Sequence, residues 1–316
     1  MGGGPGIDDH PFLLSYFQLL LGYLPPTVAD WPAVLASKRA SYAQFCADFA
    51  RDGPPAARPD DGDHPLSSDP SSSWATHFAD AELLAQIERD VMRTHPSLDC
   101  FGGAGARGRE ARAALRRALL VFAKTNAGIG YVQGMNELLA PLYHACASDP
   151  ESQDGDGATD PSSPPAAEAD AFWCLVALMA DFMDNFIAAL DDSSTGVKRA
   201  LADLAADIRS ADPALAHHLF DLNRVDPAFF GFRWTTTLLT QEFALPDLVR
   251  VWDGLLAHPG PARPAALRRL CVAMVLAARS QLLAGDFVGN VKLLQAYPGE
   301  VGVGEVLRSA AALERE

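Results

Sequence analysis

Apolar positions recur three and four residues apart along most of the chain, the spacing that lines one face of an α-helix. That periodicity predicts helices over Phe12–Gly22, Thr27–Phe49, Asp80–Arg93, Arg109–Asn126, Met135–Ala147, Glu168–Leu190 and Val197–Ile208. It predicts more over Pro213–Leu222, Phe232–Phe243, Pro246–Leu256, Arg263–Leu283, Asp286–Gln295 and Glu305–Leu313. No period-2 run bounded by hairpin turns stands out. Leu119–Phe122 resembles a strand alone, but it continues a helical register with Leu115 and Ile129. The expectation is an all-α fold, and no fixed repeat marks a solenoid. Two segments interrupt the pattern. Residues 51–73 are rich in Pro, Asp and Ser and read as a long surface loop. Residues 149–166 carry five acids and no base, a composition with too little apolar surface to order itself, and read as an insertion. A further pause at Leu190–Gly196 reads as a hinge between two lobes.

Composition narrows the chemistry. The 316 residues suffice for about two units of ordinary domain size, at roughly 150 residues each. Twenty-five basic against forty acidic side chains give a formal charge of −15, which repels a phosphate backbone and argues against nucleic acid as a partner. The lysines are Lys38, Lys124, Lys198 and Lys292, and none follows a glycine, so the Gly-Lys pair of a phosphate-binding loop is missing. Five scattered cysteines without C-x-x-C spacing read as reduced thiols of a cytoplasmic protein. The start lacks the basic segment of a secretory signal and the Ser/Thr of a myristoylation site. The longest apolar stretches, among them Phe12–Leu24, are too short to span a bilayer, so no transmembrane segment is expected.

Several candidate motifs have an ordinary explanation. Gly128, Gly130 and Gly134 mimic a dinucleotide fingerprint, but the spacing is one residue too long and no strand precedes it. Helix termination at Gly128 and a sharp turn at Gly130 explain them better. His217 and His218 point about 100° apart on a helix, which disfavours a shared metal. The stretch Arg107, Arg109, Arg112, Arg116, Arg117 reads as a solvated helix face.

Two short stretches carry sharper chemistry. In Ile87-Glu-Arg-Asp90-Val-Met-Arg93-Thr94-His-Pro96, the core stripe is Leu83, Leu84, Ile87 and Val91, and Pro96 ends the helix. Asp90 and Arg93 form an i,i+3 pair in which the carboxylate holds the guanidinium in one orientation. In Tyr131-Val-Gln133-Gly134-Met135-Asn136, a glycine-rich turn enters the next helix and presents the Gln133 amide outward, able to donate and to accept. Each is unremarkable by itself: exposed Asp/Arg pairs and helix starts are common.

Together they are specific. I-x-x-D-x-x-R, with Gln133 of Y-x-Q-G-M-N lying 40 residues beyond Arg93, resembles the signature of the TBC domain, the Rab GTPase-activating family. Phe232-Arg-Trp234, Gln241-Glu-Phe243, Leu245-Pro-Asp247 and Val251-Trp-Asp253 resemble its C-terminal blocks, in the right order. Asp184-Asn-Phe186, Leu190-Asp-Asp192, Gly285-Asp-Phe287 and His64-Pro-Leu66 are similar to one branch of that family. One departure stands near the start. Leu20-Leu-Gly-Tyr-Leu-Pro25 fits, but Phe17 occupies the place of the family's Trp and an expected Arg is missing, which questions how the first helix packs.

The resemblance implies a two-lobed, V-shaped helical domain over 12–315, with an N-terminal lobe of about 12–190 and a C-terminal lobe of about 191–315. It implies a GTPase-activating protein acting on a Rab-type GTPase in its GTP-bound state, and so a part in vesicle trafficking. Arg93 and Gln133 are then catalytic fingers supplied in trans. Ile87, Asp90 and Tyr131 support them, and Thr94, Gly134, Met135 and Asn136 shape the contact with the GTPase. No cofactor or metal of its own is implied, because GTP and Mg²⁺ belong to the partner. Recruitment to endomembranes through the Rab follows. The alternative is a catalytically silent Rab-binding scaffold, which loss of a finger would favour; both are present.

Overall fold

The computed structural model describes residues 13–50, 72–96, 98–148, 164–186, 196–299 and 301–315. Among them every regular element is helical, as the periodicity predicts. The chain divides into two compact units, Pro25–Leu175 and a second made of Met1–Leu24 with Val176–Glu316. The loop expected at 51–73 lies outside the described residues except for Ser72 and Ser73. Likewise 149–163 of the acidic insertion and 190–195 of the expected hinge lie outside them.

After α1 (Leu13–Leu20), the unit Pro25–Leu175 holds α2 (Trp31–Phe49), α3 (Ser73–Met92), α4 (Asp99–Gly102), α5 (Ala106–Thr125) and α6 (Met135–Ser148). The boundary at Leu175 falls inside α7 (Ala166–Phe182). α5 is the centre of this unit and packs against α2, α3, α4 and α6. Ala111, Ala114 and Ala118 let the neighbouring helices approach closely, while Leu115, Leu119 and Phe122 are completely buried between them. Truncating either leucine to Ala costs about 2–5 kcal/mol through lost burial and the cavity left behind.

α3 begins seven residues earlier than its apolar pattern predicts. The Ser72 side chain caps it by accepting from the Trp74 and Ala75 amides, which outweighs the weak periodicity of the first two turns. The arginine run on α5 is only partly a solvated face. Arg117 donates from Nε to the fully buried Glu168 at 2.6 Å, and Tyr42 donates to the same carboxylate at 2.6 Å. Arg112 donates to the Phe101 and Gly103 carbonyls. A bidentate pair from Arg39 to the buried Asp170 joins α2 to α7 in the same way.

The other unit contains α1, α8 (Val197–Ala211), α9 (Pro213–Ala216), α10 (Ala228–Thr236), α11 (Leu245–Leu256), α12 (Arg263–Ala277), α13 (Arg279–Ala284), α14 (Phe287–Gln295) and α15 (Val303–Leu313). Its core is α12, packed against α8, α10, α11 and α15. Phe17 is 2% exposed, and the buried Arg263 donates to the Leu20 carbonyl and to Asp181. The first helix is thus packed and its end satisfied without the family's Trp.

Three expected helices end differently. The one expected at Glu168–Leu190 gives way after Phe182 to a 3₁₀ turn at Met183–Asn185. The one expected at Phe232–Phe243 is α10, which stops at Thr236 because Leu238 and Leu239 take left-handed φ of 48° and 66°. The buried Trp252 indole donates to the Leu238 carbonyl at 2.9 Å, so a tertiary bond holds a conformation that leucine disfavours. The helix expected over Arg263–Leu283 breaks at Ala278 into α12 and α13. His217 and His218 lie in a π turn, His217 against Asp221 and His218 against Asn223 and the Gly285 carbonyl. Among the described residues no helix is long and apolar enough to cross a membrane, and no disulfide forms.

Candidate functional site

The I-x-x-D-x-x-R and Y-x-Q-G-M-N stretches both lie in the unit Pro25–Leu175, and the structure joins them by hydrogen bonds. Ile87 and Val91 anchor the C-terminal turn of α3 in the core, at 0% and 3% exposure. Arg93 caps that helix with its side chain outward, 56% exposed, and pairs with Asp90 Oδ1 at 2.9 Å. Just beyond it His95 takes a left-handed φ of 39°, which turns the chain out of the helix before Pro96.

Asp90 faces inward and is nearly buried. Its second oxygen, Oδ2, accepts from the Tyr131 hydroxyl at 2.7 Å. Burial, reinforced by the bond to Asp90, raises the Tyr131 hydroxyl well above its ordinary range, so it stays a donor at any physiological pH. One carboxylate thus binds the guanidinium with one oxygen and the tyrosine with the other.

Gly128 does not terminate α5. α5 closes at Thr125, and the left-handed positions are Gly130 and Gly134, with φ of 68° and 107°. These conformations are costly for a residue with Cβ, and they swing Tyr131 inward and Gln133 outward. Gln133 is exposed and forms no hydrogen bond among the described residues. The residues flanking it are held from below. Asn136 Oδ1 accepts from the Gly134 amide at 3.2 Å, and Asn136 Nδ2 donates to Thr94 Oγ1 at 2.8 Å. Thr94 donates onward to the Asp90 carbonyl at 2.9 Å.

Thr94, Gly134, Met135 and Asn136 are all buried, so they form the support of the turn rather than its exposed rim. The sequence reading missed Glu137, which accepts from Asn136 Nδ2 at 3.1 Å and lies 3.6 Å from His95 Nε2. An acid directly after the motif was the available signal. The cavities of about 240 and 210 Å³ are lined by residues of the other unit, among them Arg250, His258 and Leu307 in the first and Asp181, Arg199 and Cys271 in the second. Arg93 and Gln133 instead offer an outward-pointing cation and amide on one hydrogen-bonded framework.

Residues 63–283 match the Rab-GTPase-TBC domain family, a stretch holding both Arg93 and Gln133. TBC1 domain family member 13 of Homo sapiens is 34% identical over 94% of this chain and 88% of its own length. GTPase-activating protein GYP1 of Saccharomyces cerevisiae is 29% identical over 77% of this chain and 34% of its own length. The crystal structure of the Ypt/Rab-GAP domain of Gyp1p shares the fold, with a TM-score of 0.74 at 24% identity, covering 96% of this chain and 87% of that one. A family match across most of the chain, and a relative similar along nearly all of it, show that this chain belongs to the Rab-GTPase-TBC domain family.

Proposed function

We propose that this chain accelerates GTP hydrolysis by a Rab-type small GTPase, with Arg93 and Gln133 acting on the partner's nucleotide. Hydrolysis passes through a transition state with charge spread over the γ-phosphoryl oxygens, and an arginine supplied in trans contributes on the order of 10³–10⁵ in rate. Arg93 suits that task because its planar fork is permanently charged and presents paired donors to phosphate oxygens. Gln133 is the group that orients the attacking water, in place of the GTPase's own glutamine. Nucleotide and Mg²⁺ stay with the GTP-loaded partner, which also recruits the protein to endomembranes, where it acts in vesicle trafficking.

One observation carries the reading. An exposed arginine is held by a nearly buried carboxylate whose other oxygen is tied to Tyr131, two residues from an exposed glutamine that forms no hydrogen bond among the described residues. Arg199 and Arg250 also point outward, but their carboxylate partners Asp203 and Asp247 are themselves solvent-accessible, whereas the partner of Arg93 is nearly buried. Here the supporting residues lie inside and the reactive groups outside. Ile87, Asp90 and Tyr131 fix Arg93, while Thr94, Met135 and Asn136 hold the Gly134 turn under Gln133.

Single-turnover GTP hydrolysis, measured across a panel of purified GTP-loaded Rab proteins, tests this. At least one Rab should be accelerated by roughly 10³-fold or more. Binding to a GTP-loaded Rab without acceleration would leave the scaffold reading in its place.

A further inference from the structure

The support under the two exposed side chains contains a group just beyond the Y-x-Q-G-M-N stretch. Asn136 is 1% exposed, and its amide has one end that accepts and one that donates. Its oxygen faces the Gly134 N–H, while its nitrogen faces Thr94 Oγ1 and Glu137 Oε1. Turning the amide over would set two donors against each other at Gly134 and two oxygens against each other at Glu137. Thr94 does not decide the matter alone, because its hydroxyl could donate to an Asn136 oxygen by giving up the Asp90 carbonyl. The Gly134 N–H and the Asp90 carbonyl, which Asn136 Nδ2 approaches at 3.4 Å, keep their polarity whatever Glu137 does, and the Glu137 carboxylate adds its own bias to theirs. Protonated, or replaced by an amide, Glu137 could donate to an Asn136 oxygen, and its part of that bias is lost.

The burial of Glu137 is only partly compensated. The residue is 7% exposed, and burial holds its carboxyl above the usual range, only partly offset by Arg93 and the Asn136 bond. Its Oε2 faces His95 Nε2 at 3.6 Å, too long for a hydrogen bond, and that nitrogen is buried without a hydrogen-bond partner. Burial, then His144 on α6, holds the His95 ring below its ordinary range, so it does not supply a full counter-charge. The charged and titratable groups facing the pair are therefore Asp90 and Arg93 from α3, Tyr131 from the turn and His144 from α6.

We propose that Glu137 is a positioning residue for the stimulated hydrolysis: its carboxylate reinforces the orientation of the Asn136 amide and through it the Gly134 turn that presents Gln133. This rests on the function proposed above, but its first consequence is readable without any GTPase. In Glu137→Gln, exchange of the Gly134 amide proton with solvent, followed by NMR on the isolated chain, rises at least severalfold. Unchanged exchange overturns the proposal whether or not a substrate Rab has been found.

The second consequence is kinetic. On an accelerated Rab, Glu137→Gln lowers the saturated single-turnover rate about tenfold and leaves the half-saturating concentration unchanged. Added to Gln133→Ala, it lowers the rate no further, because the side chain it positions is already gone. A purely structural role would reduce both backgrounds alike, and that result overturns the proposal. Wild type gives a mutation-free check. Its saturated rate falls on acidification as Glu137 takes up a proton, and Gln133→Ala lacks that fall. Identical pH profiles for the two proteins likewise overturn it. Failure of wild type to stimulate any Rab would refute the proposed function and leave the Gly134 exchange result standing by itself.

Discussion

Tyr131 donates to Asp90 Oδ2 at 2.7 Å, leaving Asp90 Oδ1 to hold Arg93 at 2.9 Å. The tyrosine comes from the glycine turn and the aspartate from the end of α3, so the segments carrying Arg93 and Gln133 are fastened at one carboxylate. Tyr131→Phe should lower stimulated hydrolysis by about three- to tenfold, because Arg93 is then oriented by an aspartate that has lost one constraint. The change leaves a nearly buried carboxylate oxygen without its donor, which costs about 1–3 kcal/mol, so the melting temperature should fall by a few degrees while the fold persists. Full activity in Tyr131→Phe would show that the carboxylate needs no fastening.

Arg93→Ala and Arg93→Lys should both lose about 10³-fold or more of the stimulated rate. Arg93 is more than half exposed and Asp90 keeps its bond from Tyr131, so losing the pair costs little: circular dichroism should be unchanged and the thermal midpoint should fall only modestly. Lysine fails because it offers a point charge without the fork. Asp90→Ala should lose less than Arg93→Ala, since Asp90 orients the guanidinium and does not reach the phosphate. Near-wild-type rates for Arg93→Ala would remove it from the chemistry.

Gln133 is separable from an ordinary arginine-only mechanism by changing the partner. If Gln133 orients the water, a Rab whose own switch glutamine is replaced by Ala should still be stimulated substantially. Gln133→Ala should fail even on wild-type Rab. Hydrolysis measured for the four pairings decides between them, and the reverse pattern would leave Arg93 as sole finger.

Arg117 makes a prediction about stability. It is the cation paired with the fully buried Glu168, whose carboxyl burial raises despite the pull of Arg117. Arg117→Ala should cost about 3–5 kcal/mol, because a buried charge is left unpaired. The sign with pH follows from linkage. A folded-state pKa above the unfolded one means that the native state binds the extra proton, so stability is greatest at low pH and is lost as pH rises through the folded value. Arg117→Ala should therefore recover part of its loss between pH 8 and pH 5, by more than wild type changes. Thermal unfolding at both pH values checks this, and a pH-independent loss would place the damage elsewhere.

Helix content and the positions of Arg93 and Gln133 were legible because each rests on a local pattern: a 3.6-residue period, or two motifs at a recognisable separation. What escaped was set by partners far away in sequence. Thr236 to Phe243 keeps a helical apolar rhythm, yet the Trp252 indole captures the Leu238 carbonyl and the helix stops short. The arginines of α5 look alike in the sequence, and only the fold turns Arg117 onto Glu168, 51 residues away. Met135 and Asn136 looked like contact residues because they adjoin Gln133, but entry into α6 turns their side chains into the core. Glu137 escaped because its effect passes through Asn136 and leaves no spacing of its own.

Arg263 reaches back to the Leu20 carbonyl across 243 residues, and the unit it stabilises is written in two pieces on either side of Pro25–Leu175. A ribosome therefore releases all of the inserted unit while α1 still lacks α11 and α12. The Arg93 and Gln133 framework can mature first, and the apolar face of α1, including Phe17, must wait for synthesis of nearly the whole chain. A stop codon just before Arg263 would thus be felt 243 residues upstream as well as at the cut. It would leave α1 without the bond at its end, as well as uncovering the face of α11 that packs on α12.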